Sequence, residues 1–341
     1  MAIRWGILGC GNVCEVKSGP AFQRVAGSEL VSVMRRNGAL AEDYARRHGV
    51  RTWCDDAARL IDDPNVDAVY VATPPGNHLE LALRVAAAGK PAYVEKPMAR
   101  THAECERMIA AFAAARLPLF VAYYRRALPR FLKTKALIDS GRLGTITEVG
   151  YRYASPSRRK PGEPLPWRLI AEHAGAGLFL DLGSHTLDIL DFLLGPLLDV
   201  GGSAANVASD YAVEDRVTLR FRLASGALGS ASWNFAAAIH EDLIVISGTQ
   251  AELRLSTFGQ EPVVLRSAAG VEAFDLPNPS PIQEPLIATV VAALEGRGEC
   301  PSTGVSAARA SAVMDRALLD FYGSREDGFW LAPERWPGRR K

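Results

Sequence analysis

A glycine turn stands directly after the first apolar run of the chain. Residues Ile3–Leu8 are apolar enough for a short buried strand, and they lead into Gly9-Cys10-Gly11-Asn12-Val13 and a predicted helix. Such a turn presents backbone N–H groups to an anion at the positive end of a helix dipole. Glycine at 9 permits a tight turn, and glycine at 11 permits close approach of a phosphate. We therefore predict a dinucleotide-binding domain with these five residues at the pyrophosphate; the alternative is a glycine turn that binds nothing.

The end of the second predicted strand indicates which dinucleotide would bind. Residues 30–34 lead into Arg35-Arg36-Asn37, at the position where NAD-binding domains carry a carboxylate for the ribose 2′-OH. Guanidinium groups match a 2′-phosphate, which a carboxylate would repel. We expect NADP(H) bound by Arg35 and Arg36, with NAD(H) less favoured; the alternative is a pair of solvated surface arginines.

Length and charge restrict the class of protein. A chain of 341 residues exceeds one ordinary hydrophobic core, so we predict two domains, 1–122 and 123–341. A net charge of +1 gives no electrostatic basis for binding nucleic acid or an anionic membrane. There is no run of 18 apolar residues and no leader pattern, so we expect a cytoplasmic protein without either partner. The five cysteines lack metal-ligand spacing, and we expect no metal.

Alternating strand and helix patterns continue to residue 122 and predict a parallel sheet. Residues 66–72 form a predicted strand that ends in a polar turn at 73–78, and Ala92–Val94 delivers Glu95-Lys96-Pro97. The carboxyl ends of parallel strands share one edge, where ligands bind. Lys96 would stand beside the nicotinamide and donate a hydrogen bond or proton to a substrate oxygen, unless Glu95 and Lys96 are only a surface pair. The predicted cofactor-binding residues at this edge are Thr73, Pro74, Asn77, His78, Glu95 and Lys96.

The second half of the chain has longer strands. Alternation over 216–223, 226–235 and 242–248 predicts an antiparallel sheet with one covered face. Its other face, with Thr218, Arg220, Arg222 and Trp233 nearby, predicts a homodimer or homotetramer. Predicted helices at 283–294 and 306–321 would return toward the first domain. The loop at 154–167 is rich in Pro, Arg and Lys and is a candidate lid.

Polar residues interrupt an apolar helix pattern after residue 175. Asp181 and His185 are four residues apart and would share one face of a helix that includes Phe179. Histidine titrates near neutral pH and suits proton exchange with a hydroxyl or carbonyl oxygen. We interpret the two as an acid–base unit; the alternative is a histidine that Asp181 merely holds. Gly183 within this helix suggests that something passes close to it.

These motifs together resemble the Gfo/Idh/MocA oxidoreductases, which include glucose-fructose oxidoreductase and inositol dehydrogenase. The resemblance covers the full length and departs at Cys14 and Ala176, each in place of a glycine. It implies an N-terminal Rossmann domain, a C-terminal α/β domain with a large, open, mostly antiparallel sheet often used for oligomerisation, and an active site lined by Lys96, Asp181 and His185. The motifs are Gly9-Cys10-Gly11, Thr73-Pro74-Pro75-x-x-His78, Glu95-Lys96-Pro97 and Gly177-x-x-x-Asp181-x-Gly183-x-His185-x-x-Asp188.

Trp167-Arg168 resembles a pair that NADP-dependent sugar and anhydrosugar reductases of this family place at cofactor and substrate. The expected substrate-binding residues are Tyr124, Trp167, Arg168 and His185. The expected activity is NADP(H)-dependent hydride transfer to or from a carbinol or carbonyl carbon of a sugar, anhydrosugar or cyclitol. One alternative is a dihydrodiol or keto-acid dehydrogenase, with a carboxylate held by Arg158, Arg159 and Arg168. Another is a non-catalytic NADP-sensing regulator, which has no need of a proton-transfer set such as Lys96, Asp181 and His185.

Overall fold

The structure, a computed structural model, describes residues 2–157, 159, 162–326 and 328–339. These residues form two compact units. The first comprises the chain up to Ala99, then Ala103–Leu128 and Pro279–Ala308. The second comprises Arg100–His102, Pro129–Asn278 and the described residues from Arg309 onward. Within the described ranges no helix has the length and apolar character needed to span a bilayer.

The first unit contains a six-stranded parallel sheet, as the βα alternation predicts. The strand order is β3-β2-β1-β4-β5-β6. Helices cover both faces of such a sheet, which explains why β4 and β5 are apolar and buried along their whole length. The order changes direction between β1 and β4, where ligands bind in open parallel sheets. The strands are β1 (Ile3–Leu8), β2 (Ser28–Met34), β3 (Thr52–Cys54), β4 (Ala68–Val71), β5 (Ala92–Val94) and β6 (Leu119–Val121).

Helices alternate with these strands. α3 begins where the Asn37 side chain accepts a hydrogen bond from the Leu40 N–H, and it ends at Gly49 in the left-handed region. Both ends follow from residue type. The helices up to residue 115 are α1 (Asn12–Val16), α2 (Gly19–Arg24), α3 (Gly38–His48), α4 (Ala57–Ile61), α5 (His78–Ala87) and α6 (His102–Ala115).

The predicted single helix after the glycine turn is wrong, because it is two short helices, α1 and α2. Near the break between them, the Tyr44 hydroxyl donates a hydrogen bond to the Cys14 carbonyl at 3.0 Å. A Cβ at Gly19 would lie 2.0 Å from that hydroxyl and 2.3 Å from the Cys14 oxygen. Glycine at 19 therefore makes room for the side chain that ties α1 to α3.

The second unit contains an eight-stranded sheet of order β14-β13-β12-β11-β7-β10-β9-β8. All neighbours are antiparallel except β10 and β7, which are parallel, so the expectation of a mostly antiparallel sheet is confirmed. The strands are β7 (Ile146–Ala154), β8 (Leu198–Ala205), β9 (Arg216–Arg222), β10 (Leu228–Asn234), β11 (Glu241–Gly248), β12 (Ala251–Leu255), β13 (Val263–Ser267) and β14 (Gly270–Phe274).

One face of this sheet is covered and the other is open. Along β9 buried and exposed residues alternate strictly, with Thr218, Arg220 and Arg222 exposed. The placement of Trp233 near that open face is wrong. Trp233 pairs with Val217, is completely buried, and meets the Phe179 ring edge-on at 4.8 Å. Residues paired across antiparallel strands point to the same face, so Trp233 shares the covered face with Val217.

The segment before α9 is a π-helix, Phe179–Gly183, rather than the regular α-helix that the spacing predicts. A Cβ at Gly183 would lie 2.4 Å from Cδ2 of Phe179, so the close neighbour expected at this glycine is the Phe179 ring. The helix predicted at 283–294 is α10, in the first unit. The single helix predicted at 306–321 is two helices, α11 and α12, and α12 belongs to the second unit. The remaining helices are α7 (Pro129–Asp139), α8 (Ala171–Ala174), α9 (Ser184–Leu194), α10 (Glu284–Leu294), α11 (Gly304–Ala317) and α12 (Leu319–Tyr322).

Candidate active site

The glycine turn lies at the point where the strand order of the first unit changes direction. Gly9 has φ +86°, and a Cβ there would lie 2.8 Å from Cγ2 of Thr73. This glycine therefore lets the turns that follow β1 and β4 meet. At Gly11 the nearest atom to a Cβ would be the Gly9 oxygen, at 3.9 Å. The protein itself does not require glycine at 11, and the open space beside the start of α1 fits an approaching phosphate.

The amides of the turn divide into two sets. The Gly9 and Cys10 N–H groups donate to the Met34 carbonyl at 2.8 and 3.2 Å, and the Gly11 N–H donates to the Gly9 carbonyl. The first two amides hold the turn against β2 and the third closes the turn on itself, so these three N–H groups are already used within the protein. In the part of the chain that the structure describes, the Asn12 and Val13 N–H groups at the start of α1 have no backbone acceptor. They remain available as hydrogen-bond donors at the start of α1.

Cys10 and Arg35 lie close together beside this turn. Cys10 is completely buried, and burial raises the pKa of its thiol to about 11, although the positive charge of Arg35 acts in the opposite direction. The Arg35 N–H donates to the Cys54 carbonyl at 3.2 Å, which fixes the backbone at the end of β2. Arg36 is exposed. The structure thus brings Arg35 next to the predicted pyrophosphate turn and leaves Arg36 at the surface.

His78 connects two turns at the same sheet edge. Its Nε2 lies 2.7 Å from the Thr73 carbonyl, and its Nδ1 lies 3.1 and 3.2 Å from the Pro97 and Met98 carbonyls. The ring is completely buried, and burial lowers its pKa, which keeps it neutral. We revise the expectation of direct cofactor contact, because a buried ring fixes the spacing of the turns from behind. Thr73, Pro74 and Asn77 are accessible in the first of these turns.

Glu95 is buried and fixes the backbone of Lys96. Its Oε1 accepts hydrogen bonds from the Tyr70 hydroxyl at 2.5 Å and the Gln283 amide at 2.7 Å. Its Oε2 accepts the Lys96 N–H at 3.0 Å, and the Tyr93 hydroxyl donates to Gln283 at 3.0 Å. Burial, reinforced by the charge of Glu95, raises the pKa of both tyrosines, so they remain donors. Sequence reasoning missed Gln283, which is 188 residues away and carries no local signal.

Tyr124 follows β6 in a positively charged environment. Burial alone would raise the pKa of its hydroxyl, but the charges of Arg125, Lys17 and Lys96 outweigh burial and lower it. The positive charges of Arg125, Lys17 and Lys96 therefore all act on the Tyr124 hydroxyl within the first unit. Lys17, which precedes α2, was not predicted. A set of positive charges around a phenol suits stabilisation of negative charge on a bound oxygen.

In the second unit the structure brings Arg168 and Asp181 together. Nε of Arg168 donates to Oδ2 of Asp181 at 2.9 Å, and the guanidinium lies 4.3 Å from the centre of the Trp167 ring. His185, at the first turn of α9, is 4% exposed, and the Phe258 ring meets it edge-on at 5.9 Å. Phe258 was not predicted; its N–H donates to Asp242 at 2.6 Å, which fixes the loop after β12.

Two of the three arginines proposed for a carboxylate substrate already have acidic partners. Arg159 pairs with Asp210, and Arg168 pairs with Asp181. Arg158 lies outside the described residues. These ion pairs disfavour the keto-acid alternative, because a substrate carboxylate would have to compete with a protein carboxylate at both described positions.

Two family models match the chain. "Oxidoreductase family, NAD-binding Rossmann fold" matches residues 3–123, and "GFO/IDH/MocA C-terminal domain" matches residues 131–254. The chain belongs to the Gfo/Idh/MocA family of NAD(P)-dependent oxidoreductases. The family membership implied by the sequence motifs is thereby confirmed, and with it the expectation of an enzyme.

Named relatives of this Gfo/Idh/MocA chain span nearly its whole length. It is 35% identical to "Oxidoreductase P35" of Formosa agariphila over 92% of this chain and 97% of that protein. It is 30% identical to 1,5-anhydro-D-fructose reductase of Ensifer adhaerens over 88% of this chain and 91% of that protein. The solved structure of levoglucosan dehydrogenase in complex with NADH and levoglucosan has a TM-score of 0.82 at 24% identity, covering 93% and 96%, which shows a shared fold.

Metal ligation has no geometric support in the described ranges. Within them, His, Cys, Asp and Glu side chains form no group of three or more that could hold an ion.

We predict that Tyr70→Phe destabilises the first unit more than Tyr93→Phe does. Both changes remove one buried hydroxyl, but the Tyr70 hydroxyl donates to a carboxylate and the Tyr93 hydroxyl to an amide. Hydrogen bonds to charged groups contribute about 1.5–3 kcal/mol, and neutral ones about 0.5–1.5 kcal/mol. Thermal unfolding of the two variants measures the difference. A melting temperature of Tyr70→Phe equal to or above that of Tyr93→Phe would contradict the prediction.

Proposed function

We propose that this protein is an NADP(H)-dependent oxidoreductase of a polyhydroxylated substrate, a sugar, anhydrosugar or cyclitol. The observation that carries the proposal is the Glu95 network, which fixes the backbone of Lys96 with buried hydrogen bonds. A protein that only sensed the nucleotide would have no need to fix a lysine there. The relative named 1,5-anhydro-D-fructose reductase, at 30% identity, supports a sugar-like substrate.

The dinucleotide would be held by the turn at the end of β1. The Asn12 and Val13 N–H groups and the open space at Gly11 suit the pyrophosphate, and Arg35 suits a 2′-phosphate. Thr73, Pro74 and Asn77 would line the same edge of the sheet. When bound, the nicotinamide supplies or accepts the hydride.

The remaining chemistry falls to side chains of this chain. Lys96 would donate a hydrogen bond to the substrate oxygen and so stabilise the charge that develops on it. His185 would exchange the proton of that oxygen, with Asp181 orienting the ring. Tyr124, Trp167 and Arg168 would contact the substrate, and the ion pair with Asp181 restricts Arg168 to one orientation.

We predict that NADPH preference rests on Arg35 and Arg36. Because each would form a charge-assisted bond to the 2′-phosphate, Arg35→Ala and Arg36→Ala should each weaken NADPH binding by about 1.5–3 kcal/mol and leave NADH binding nearly unchanged. Fluorescence titration of both cofactors measures this. Arg51→Ala, at an exposed arginine that pairs with Glu29, is the matched control and should change neither affinity. Equal losses for NADH and NADPH would refute the assignment.

We predict that substitutions at Lys96 and His185 impair turnover without impairing cofactor binding. Removal of one acid–base group costs about 10²–10⁴-fold in rate. Lys96→Met and His185→Ala should therefore lower kcat at least about a hundredfold while the NADPH affinity and melting temperature stay near those of the wild type.

The control for the lysine lies at the other end of the same strand. Lys90 precedes β5 and donates to the Asp63 carbonyl at 2.6 Å, so Lys90→Met removes an equal charge away from the ligand edge and should keep kcat. The assay follows NADPH absorbance with ketoses, anhydrosugars and inositols. If Lys96→Met and His185→Ala both retain more than about a third of wild-type kcat, well below an acid–base effect, the chemistry lies elsewhere and the sensor alternative is favoured.

We also propose a homodimer or homotetramer formed through the open face of the eight-stranded sheet. Thr218, Arg220 and Arg222 are exposed on it, and near its centre a Cβ at Gly150 would meet no atom within 4 Å. Light scattering at tens of micromolar should give the mass of two or four chains. Gly150→Lys, which places a charged side chain in the middle of this face, should reduce that mass. A wild-type mass of one chain would contradict the proposal.

A further inference from the structure

A completely buried carboxylate holds the segment that leads to Asp181 and His185. Glu214 lies in the loop before β9, and its two oxygens accept the Gly177 N–H at 2.9 and 3.1 Å. The Tyr322 hydroxyl, from α12, donates to the same carboxylate. A Cβ at Gly177 would lie 2.5 Å from the Glu214 carbonyl oxygen. Residue 177 must therefore be glycine as long as Glu214 occupies this position.

Arg325 holds the other end of the same short turn. Its side chain is 2% exposed, pairs with Asp315, and donates to the Gly175 carbonyl at 2.8 Å. It also donates to the Arg100 carbonyl at 2.6 Å. Residues 175–177 are thus fixed by an arginine at the first carbonyl and by Glu214 at the last amide.

Gly177 is also hydrogen-bonded to the π-helix. The Leu180 N–H donates to the Gly177 carbonyl at 3.2 Å, so the peptide units on both sides of Gly177 are hydrogen-bonded. Asp181 is the next residue, and the π-helix leads without interruption into α9 and His185. A shift of Gly177 would therefore move the start of the segment that carries both side chains.

We propose that Glu214 is a positioning residue of the active site: its ionised carboxylate holds Gly177 and thereby sets the placement of Asp181 and His185 needed for turnover. The inference rests on the proposed function, since it assumes that these two residues act in catalysis. Glu214 itself is completely buried, so we assign it an indirect role through Gly177 rather than a direct role in the chemistry.

The environment of Glu214 makes its charge dependent on pH in the working range. Burial raises its pKa to about 7, although the hydrogen bonds from Tyr322 and Gly177 and the charge of Arg325 oppose this. A protonated carboxyl group is a weaker acceptor than a carboxylate, so the hold on Gly177 weakens as pH falls below about 7. The ionisable groups that surround it are Tyr322, Arg325 with its partner Asp315, and the neighbouring Asp215 and Tyr211.

Stability and turnover should then respond to pH in opposite directions. Because the pKa of Glu214 is higher in the folded than in the unfolded chain, its contribution to stability is complete below about pH 4.5 and is lost as pH rises through about 7. The ionised form that positions the site is therefore the less stable one. If Glu214 were merely structural, turnover would follow stability rather than oppose it.

Glu214→Gln is the main test, because the amide is isosteric, neutral at every pH and able to pair with both Gly177 and Tyr322. We expect kcat at pH 8 to fall about 10-fold, as expected for a small misplacement of catalytic groups. KM and NADPH affinity should change less than about twofold, since binding contacts stay in place. The melting temperature of the wild type minus that of Glu214→Gln should be smaller at pH 8 than at pH 5.5.

Tyr322→Phe provides a directional test in a variant that keeps the ring. Loss of the hydroxyl donor favours protonation of Glu214, so the acid limb of the kcat profile should move to higher pH. In the Glu214→Gln/Tyr322→Phe double variant this shift should be absent. Asp215→Asn is the matched control, since Asp215 is also completely buried but accepts the N–H groups of Val207, Ala208 and Ser209 instead. It should not move the acid limb to higher pH, because loss of a neighbouring negative charge favours the ionised form of Glu214.

The outcomes of these experiments distinguish failure of the positioning role of Glu214 from failure of the proposed function. A wild-type enzyme that turns over no polyol overturns both. A wild-type enzyme that is active, with Glu214→Gln retaining its kcat and its pH profile, overturns the positioning role alone. An unchanged acid limb in Tyr322→Phe has the same meaning.

Discussion

In both units a buried glutamate accepts a tyrosine hydroxyl and a backbone N–H next to a candidate active-site segment. Glu95 accepts from Tyr70 and from the Lys96 N–H, and Glu214 accepts from Tyr322 and from the Gly177 N–H. Removing a carboxylate from water is costly unless its oxygens are hydrogen-bonded, so the donors must be in place before the fold is stable. The same requirement fixes the backbone at these two positions.

The two glutamates differ in how many side-chain donors reach them. Glu95 also accepts from Gln283, which Tyr93 orients, so side chains from two strands and from the segment before α10 converge on it. Glu214 receives one side-chain donor, and Arg325 acts on it by charge while donating to the Gly175 carbonyl. At Glu214 burial outweighs these interactions and raises the pKa to about 7. This carboxylate can therefore couple pH to the segment carrying Asp181 and His185.

Local sequence patterns predicted where strands and helices form. Contacts between residues far apart in the sequence determine the partners of buried groups, the helix break and the strand face. Buried strands, the end of α3 at Gly49 and the sheet edge bearing Thr73 and Lys96 follow from periodicity and residue type. The partners of the buried carboxylates do not, because Gln283 lies 188 residues from Glu95 and Tyr322 lies 108 from Glu214. The break between α1 and α2 was missed for the same reason, since it depends on the Tyr44 hydroxyl thirty positions away. Trp233 was misplaced because its face depends on the register with Val217 rather than on its own strand.

The glycines of the Gly177–His185 motif are required by close packing, whereas its polar residues are the candidates for chemistry. Gly177 is required by Glu214, and Gly183 by the Phe179 ring, which in turn packs on Trp233 in the covered face of the sheet. Ala176, directly before Gly177, is completely buried and does not have a positive φ, so an alanine is accommodated there. The two glycines therefore allow close packing against Glu214 and the Phe179 ring. This packing sets the positions of the Asp181 and His185 side chains. A chain that kept both polar residues but replaced Gly177 would keep the chemistry of the motif and lose its geometry.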